Sequence, residues 1–525
     1  MSGRVVLVGA GPGDPGLLTL HGQRWLAAAD VVVHDELVHR RLLEHVRPEA
    51  EIIAIGRPHD DPARLAQRDI ETVLIARARE GKLVVRLKNG DPFVFGRGAE
   101  ETSALRAAGI PFEVVPGVTS ALAVPAYAGI PATHRDHTQL VTIVTGHQAC
   151  RPGDDTEPGP PPLPWEALAS QGGTLVFLMA VKHLETVLAR LTAHGLDPAT
   201  PAAMIQQGTI GSQRTVAGTV ATLAPLVRAA TLRAPAVLVI GTVVGLREQV
   251  TWFESRPLLG RRIVVTRPRQ QSGDFARLLE AQGAEVLVFP TIAIAPSPDA
   301  ARFDQAVAAS GGYDWILFTS ANGVRAFFTR FTAQRRDVRM LASVRLAAIG
   351  PETAAELERR MLHPEIVPGE FRAEGLLDAL GDDVRGKRIL LPRAAGARVI
   401  LPETLAARGA HVDEVIAYEA IVPPDADAAG LRAAIGAGTV DALTFTSSST
   451  VRNFAAMLGP EAIAALVASR RTVVACIGPI TADAARDCGL PVDVCPTAYT
   501  TRALADALVK HFCKPTDDGL SEKAR

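Results

Sequence analysis

The chain has 525 residues, 47% hydrophobic and 21% charged, too many for one core and enough for three or four folding units with normal cores. A formal net charge of −1 and an isoelectric point near 6.9 exclude a global basic field for nucleic acid, so an anionic ligand would have to be met by local arginines. The five cysteines, Cys150, Cys476, Cys488, Cys495 and Cys513, form no C-x-x-C pair and no metal-ligand cluster with histidine, so reduced thiols and no metal site are expected, with Cys488 and Cys495 in the core. The N-terminus lacks a basic region followed by a long apolar core, and the longest apolar stretch, Pro235 to Leu246, is short and broken by Gly and Thr. A cytoplasmic protein with no membrane partner is the expectation.

The first predicted element is a buried strand, Val5 to Val8. It runs into Gly11-Pro12-Gly13-Asp14-Pro15-Gly16, which matches G-x-G-x-x-G, with Asp35 some way beyond, as a dinucleotide fingerprint asks. The local chemistry argues otherwise. Asp14 is a favoured N-cap and Pro15 a favoured first helical residue, so a helix is predicted from Pro15 with the Asp14 carboxylate on its free amides. That carboxylate would repel a phosphate, and Pro12 and Pro15 remove two N–H donors from any cradle. A phosphate-free ligand such as S-adenosylmethionine suits the loop better.

Further strand-like runs, Val31–Val33, Leu83–Arg86, Leu175–Phe177, Val237–Ile240, Ile263–Val265, Trp315–Phe318 and Ile389–Leu391, alternate with Ala- and Leu-rich helical runs. The pattern predicts α/β architecture with largely parallel sheets. A second glycine stretch, KNGDPFVFGRGAEE, follows the Leu83–Arg86 strand; Gly90, Gly96 and Gly98 give an approachable backbone, and Arg97 and Glu100 are its charges. The Pro/Gly-rich run from Arg151 to Pro164 reads as an exposed loop, residues 248–259 as an interdomain linker, and residues 513–525 as a disordered tail.

The second half contains an internal repeat. Gly260–Pro268 resembles Gly386–Ala394, Leu317–Arg325 resembles Thr444–Arg452, and Ala348–Ala354 resembles Cys476–Ala482, at offsets of 126 (260 to 386), 127 (317 to 444) and 128 (348 to 476). Two similar α/β lobes with a ligand between them are predicted.

GAGPGDPGLLTL, VVVHDELV, VVRLKNGDPFVFGRG, VPGVTSALAVPAYAGIPATHRD and TGH together resemble uroporphyrinogen-III C-methyltransferases, collinearly over about Val5 to Val244. The resemblance implies a domain over 1–247 with a two-subdomain tetrapyrrole methyltransferase fold. Its cofactor would be S-adenosylmethionine, leaving S-adenosylhomocysteine as product. It places cofactor contacts at Pro12, Asn89, Gly90, Asp91, Val94, Thr119, Ser120, Met179 and Gly208, and a proton acceptor at Asp35. Arg97, Glu100 and Arg135 fall where the family handles the tetrapyrrole. Arg97 holds its proton too tightly to be a free base, so a carboxylate anchor suits it better. The family usually has Lys where Arg57 stands, which puts a proton-donor role there in doubt while permitting bidentate carboxylate binding. Relatives of this type also imply a homodimer through this domain.

TSANGVRAF, LPRAAGARVILPETLAARGAHVDEVIAYEA, FTSSSTVRNF and IGPITADAARDCGLPVDV resemble uroporphyrinogen-III synthase over about Gly260 to Leu508, which implies a two-lobed α/β synthase fold over 260–512. That family converts hydroxymethylbilane to uroporphyrinogen III without a cofactor. Tyr418 aligns with its acid for hydroxyl departure; a half-buried strand tyrosine is the equally open alternative. Ser320, Thr353, Ser447 and Thr481 match cleft positions, where each alone reads first as a helix cap. Arg267 and Arg393, at paired strand ends, are candidates to reach substrate carboxylates. The two resemblances are consecutive steps, so the expected protein is a bifunctional enzyme of the sirohaem or cobalamin route with small-molecule tetrapyrrole partners. The alternative is a methyltransferase whose second half is a non-catalytic tetrapyrrole-binding or regulatory module.

Overall fold

A computed structural model describes residues 3–55, 67–146, 163–381, 383–424 and 426–513. Arg57, Cys150, most of the Pro/Gly-rich run from Arg151, and residues 514–525 lie outside the described residues. The described chain divides into two compact units: 3–263 with 277–286 and 505–513, and 264–276 with 287–504.

In the first unit, β1 (Arg4–Gly9), β2 (Val31–Asp35), β3 (Glu51–Ile55), β4 (Leu83–Lys88) and β5 (Phe112–Val115) form a parallel sheet of order β3-β2-β4-β1-β5. Val5 to Val8 are fully buried, as an unbroken apolar run covered on both faces must be. A second sheet, of order β6-β7-β10-β8-β9, contains β6 (Val141–Thr145), β7 (Thr174–Leu178), β8 (Pro201–Gln206), β9 (Arg214–Thr219) and β10 (Ala236–Ile240). Here the expectation of parallel strands needs correction. Only β6–β7 is parallel, because β8 and β9 form a hairpin and β10 inserts antiparallel between β7 and β8.

The helix predicted from Pro15 is also different. Asp14 caps a single 3-10 turn, Pro15–Leu17, and a fresh helix, Leu20–Ala28, begins with Thr19 as its cap. The stretch 248–259, read as a linker, packs onto the first unit. Trp252 and Phe253 each lie 4.9 Å from Tyr127, Glu254 accepts from Gln213 and Thr215, and Leu258 is fully buried.

The repeated half contains β11 (Arg262–Val265), β12 (Glu285–Val288), β13 (Ala293–Pro296), β14 (Trp315–Phe318), β15 (Arg345–Ala348), β16 (Arg388–Ala394), β17 (His411–Ile421), β18 (Ala442–Phe445) and β19 (Val473–Cys476). Its sheets have orders β12-β11-β18-β19 and β13-β17-β16-β14-β15. By the repeat, β16 and β17 correspond to β11 and β12, and β18 and β19 to β14 and β15. The two orders are therefore the same over four strands, two from each copy of the repeat, and one lobe adds β13 of the first copy at its edge. The equivalence extends beyond the strands: Ala347 bridges Ile366 in one lobe, and Ala475 bridges Val494 in the other. Buried Phe318, Phe327 and Leu346 anchor the lobe containing β14; Phe445, Phe454 and Val474 anchor its counterpart.

All four described cysteines are free. Cys495 is exposed rather than in the core, and only Cys476 is fully buried, which pushes its thiol up to about 12. Among the described residues there is no cluster of His, Cys, Asp or Glu able to hold a metal, and no single helix is long and apolar enough to cross a membrane.

Candidate active sites

At the carboxyl ends of β1 and β4 the backbone is packed to the limit glycine allows. Gly11 and Gly90 exchange backbone hydrogen bonds of 3.2 and 2.8 Å, both with positive φ (+77° and +66°). A Cβ on Gly9 would lie 2.5 Å from Gly117, and one on Gly117 would lie 2.3 Å from the Gly90 carbonyl. Asp91 fastens this junction, accepting from the Phe93 and Gly117 amides at 2.8 and 3.0 Å. Asp91 thus holds the cradle through its side chain.

Asp14 is occupied as its capping role predicts. One carboxylate oxygen accepts from Gly16 N–H at 2.7 Å and the other from the Tyr127 hydroxyl at 2.8 Å, while its own N–H donates to Thr209 Oγ1 at 3.0 Å. Burial, and then the Asp14 carboxylate, push the Tyr127 phenol above its usual range. The loops of both sheets meet here. A Cβ on Gly13 would lie 2.9 Å from Thr209 Oγ1, and one on Gly208 would fall 2.4 Å from Val124. Pro12, Asn89, Gly90, Asp91, Val94, Thr119, Ser120 and Gly208 are thereby brought to one place. Val94 packs on the apolar cluster of Val124 and Leu178, and Met179 follows Leu178 with a positive φ of 58° and its side chain exposed. The Thr119 hydroxyl caps the helix Ser120–Tyr127. The strain at Met179, and at Gln207 and Thr209 (φ +50° and +74°), is concentrated on these loops.

Beneath the loops lies a cluster that sequence reasoning missed. Arg86 and Lys88, on one face of β4, and Glu101, on the helix Gly98–Ala107, are almost wholly buried. Glu101 Oε1 accepts from Arg86 Nε at 3.2 Å and Lys88 Nζ at 2.8 Å, leaving Oε2 buried without a partner. Burial, together with the Arg86 cation, holds the Lys88 ammonium below the ordinary lysine range. Asp35 closes the network, with its side chain 33% exposed: Arg86 Nη2 donates to one oxygen at 2.5 Å and Asn89 N–H to the other at 3.1 Å. The legible signal was two cations at i and i+2 in an otherwise apolar strand.

Arg97 and Glu100 do not face a buried site alone. They pair with each other at 2.5 Å on the surface, 57% and 51% exposed, with Arg97 in the left-handed region at the start of its helix. Arg135 is exposed.

The second unit holds a cavity of about 420 Å³, lined by Gln271, Ser320, Asn322, Gly350, Thr353 and Phe371 among others. The helices Ala321–Ala333 and Pro351–Glu358 begin at this wall, capped by Ser320 and Gly350. Ser320 Oγ accepts from Gly323 N–H at 3.0 Å and lies 3.0 Å from Tyr418 Oη, on β17. Tyr418 is buried, so both open readings of it meet: a core strand tyrosine whose hydroxyl reaches a cavity-lining serine. In the other lobe, Ser447 caps its helix in a capping box with Thr450, and the place corresponding to Tyr418 is the Phe289–Ile292 stretch, without a phenol. Thr353 and Thr481 are buried third residues of their helices and cap neither.

The strand-end arginines separate. Arg267 keeps a buried Nε without a hydrogen-bond partner, and burial lowers its affinity for a proton against the opposing charges of Glu352 and Asp274. Arg393 is buried, with Nη1 3.1 Å from a Glu414 oxygen and Nη2 donating to the Arg398 carbonyl, and its Nε, like that of Arg267, has no hydrogen-bond partner.

The family profile described as tetrapyrrole (corrin/porphyrin) methylases matches residues 4–224, and that described as uroporphyrinogen-III synthase HemD matches residues 273–506. The porphyrin biosynthesis protein HemD of Ruminiclostridium josui is 37% identical over 489 residues, 92% of this chain and 93% of that protein. The uroporphyrinogen-III C-methyltransferase of Bacillus subtilis is 39% identical over 361 residues, 68% of this chain and 72% of that protein. A crystal structure of uroporphyrin-III C-methyltransferase from Thermus thermophilus complexed with S-adenosylhomocysteine is 37% identical, covering 46% of this chain and 100% of its own, with a TM-score of 0.39.

Proposed function

We infer the function of this chain from its family: it belongs to the porphyrin biosynthesis proteins that join a tetrapyrrole methylase to a uroporphyrinogen-III synthase. The second unit closes hydroxymethylbilane to uroporphyrinogen III with loss of water. The first unit methylates that product at two carbons, giving precorrin-2. The observation that carries this reading is the match of this chain to both family profiles, together with a match over nearly its whole length to a porphyrin biosynthesis protein.

In the second unit, Tyr418 is the acid for departure of the substrate hydroxyl. Ser320 Oγ already accepts from the Gly323 amide, so its own hydrogen is free to donate to Tyr418 Oη. The phenolic proton is then available to the leaving hydroxyl, which departs as water and leaves a delocalised cation on the terminal pyrrole. The helix start at Ser320, with no acidic residue in its first turn, favours the acetate and propionate carboxylates.

In the first unit, the cradle fits S-adenosylmethionine. Its anion position is filled by Asp14, while the Cβ position of Gly90 is open, 3.7 Å from the Ser120 nitrogen. Pro12, Asn89, Gly90, Val94, Thr119, Ser120, Met179 and Gly208 would hold it, and Asp91 fixes the loop. When bound it supplies an electrophilic methyl group. Asp35 has a second lone pair on each oxygen and accepts the proton lost as the alkylated ring rearranges. Arg97 and Arg135 anchor substrate carboxylates, Glu100 being the partner that Arg97 has in the free chain.

Mass spectrometry of the products from hydroxymethylbilane tests this reading. Uroporphyrinogen III is expected without S-adenosylmethionine and its dimethylated product with it. Uroporphyrinogen I alone would overturn the synthase half.

A further inference from the structure

The two lobes of the second unit place an exposed aromatic ring on the same spot. Phe371 lies on Gly350, the N-cap of the helix Pro351–Glu358; Tyr499 lies on Gly478, the N-cap of the helix Pro479–Asp487. The aromatics and their glycines are both separated by the repeat offset of 128 (371 to 499, 350 to 478). Each ring is 63% exposed. A single exposed aromatic needs no explanation, but the same one twice, at equivalent positions in copies that differ around it, does. The neighbours have diverged: Glu370 and Arg372 beside Phe371 correspond to Ala498 and Thr500 beside Tyr499, and Glu352 corresponds to Ile480.

The glycines point the same way. Their backbones are extended and nearly identical, φ −172° and −170°, a conformation open to any residue. What crowds a side chain there is the ring. A Cβ would fall 3.3 Å from Phe371 Cγ in one lobe and 2.9 Å from Tyr499 Cδ1 in the other. The glycine thus lets an exposed aromatic ring rest against each helix start. Phe371 also lines the cavity that holds Ser320 and Thr353.

We propose that Phe371 and Tyr499 are substrate-positioning residues, each offering its face to one pyrrole ring of the linear tetrapyrrole. An aromatic face suits the polar N–H edge of a pyrrole. This inference rests on the synthase reading of the second unit.

The test uses the full chain with hydroxymethylbilane, without air and without S-adenosylmethionine. Phe371→Leu and Tyr499→Leu keep apolar bulk and lose the aromatic face. Each is expected to raise KM about tenfold with kcat within about twofold, and to increase the uroporphyrinogen I fraction. Phe371→Tyr and Tyr499→Phe are expected to stay within about twofold of the parent. A kcat for ring closure within about twofold of the parent shows that the second unit is folded in each variant, and methylation of supplied uroporphyrinogen III, the work of the first unit, should be unchanged in all four. Leucine variants with parental KM overturn the proposal while leaving the synthase reading intact. A parent chain that forms no uroporphyrinogen III overturns both.

Discussion

Beneath the glycine loops of the first unit, Arg86, Lys88, Glu101 and Asp35 form a compact network of two cations and two anions, three of the four nearly sealed from water. At the cavity of the second unit stand instead neutral hydroxyls, those of Ser320 and Thr353 in its lining and that of Tyr418 3.0 Å from Ser320 Oγ. The difference follows the chemistry. Paired buried charges have a large penalty for disruption and fix their partners rigidly, which suits alignment of a methyl donor and a base. Neutral hydroxyls can turn from donor to acceptor, which suits a site that must give up a proton and then tolerate a cation.

If that contrast is right, the first unit should be the more fragile to loss of a single charge. Glu101→Leu leaves two buried cations without their shared anion and is expected to destabilise the first unit by about 3–5 kcal/mol. Adding Lys88→Met to Glu101→Leu should recover part of that loss, because one unpaired cation then disappears. Denaturant unfolding, with ring closure as the activity that survives, checks both. A change of under about 1 kcal/mol for Glu101→Leu would mean that the network is not held by its charges.

The second unit should instead lose chemistry without losing its fold. Tyr418→Phe keeps the buried ring and removes the proton. Turnover of hydroxymethylbilane is expected to fall by about 10²-fold or more, while methylation of supplied uroporphyrinogen III is unchanged. Near-parental ring closure would return Tyr418 to the role of a core tyrosine.

The two lobes sharpen the comparison further. Ser320→Ala and Ser447→Ala each remove a helix cap and should each lower stability by about 1 kcal/mol. Only Ser320 touches Tyr418, so only its loss should lower kcat for ring closure, by about tenfold. Equal kcat losses in the two variants would show that Ser320 acts through its cap alone.

The repeat, the α/β alternation and the glycine cradle were legible because each is a local pattern: an offset, a period, or a residue type at a strand end. The exchange of strands between the repeat copies was not. An offset equates β11 with β16, but it does not say that β11 will sit beside β18 rather than β14. The sheet containing β10 was misread for the same reason, since strand direction depends on where a distant strand inserts. In the site, Asp14 was readable from its neighbours Pro15 and Gly16, whereas its second partner, Tyr127, is remote in sequence. Arg86 and Lys88 were visible as charges, but their anion is on a helix beyond the loop. The aromatic seats at Phe371 and Tyr499 needed the fold, because sequence places neither beside its glycine.

The smallest expected effect concerns the charge of the first unit that lies on its surface. The Arg97–Glu100 pair joins two side chains that are each more than half exposed, so water screens it and it contributes little to the fold. Glu100→Gln should therefore change stability by less than about 1 kcal/mol. Its effect on activity is the informative one. The carboxylate of Glu100 occupies the same guanidinium face that a substrate propionate would need. If Arg97 is a carboxylate anchor, removing its internal competitor should lower KM for uroporphyrinogen III by a few-fold at low salt, with the gain fading as salt rises. If Glu100 instead holds Arg97 in the one geometry that meets substrate, KM should rise and salt should matter less. Steady-state methylation at two ionic strengths separates these outcomes, and an unchanged KM at both would remove Arg97 from the substrate-binding set.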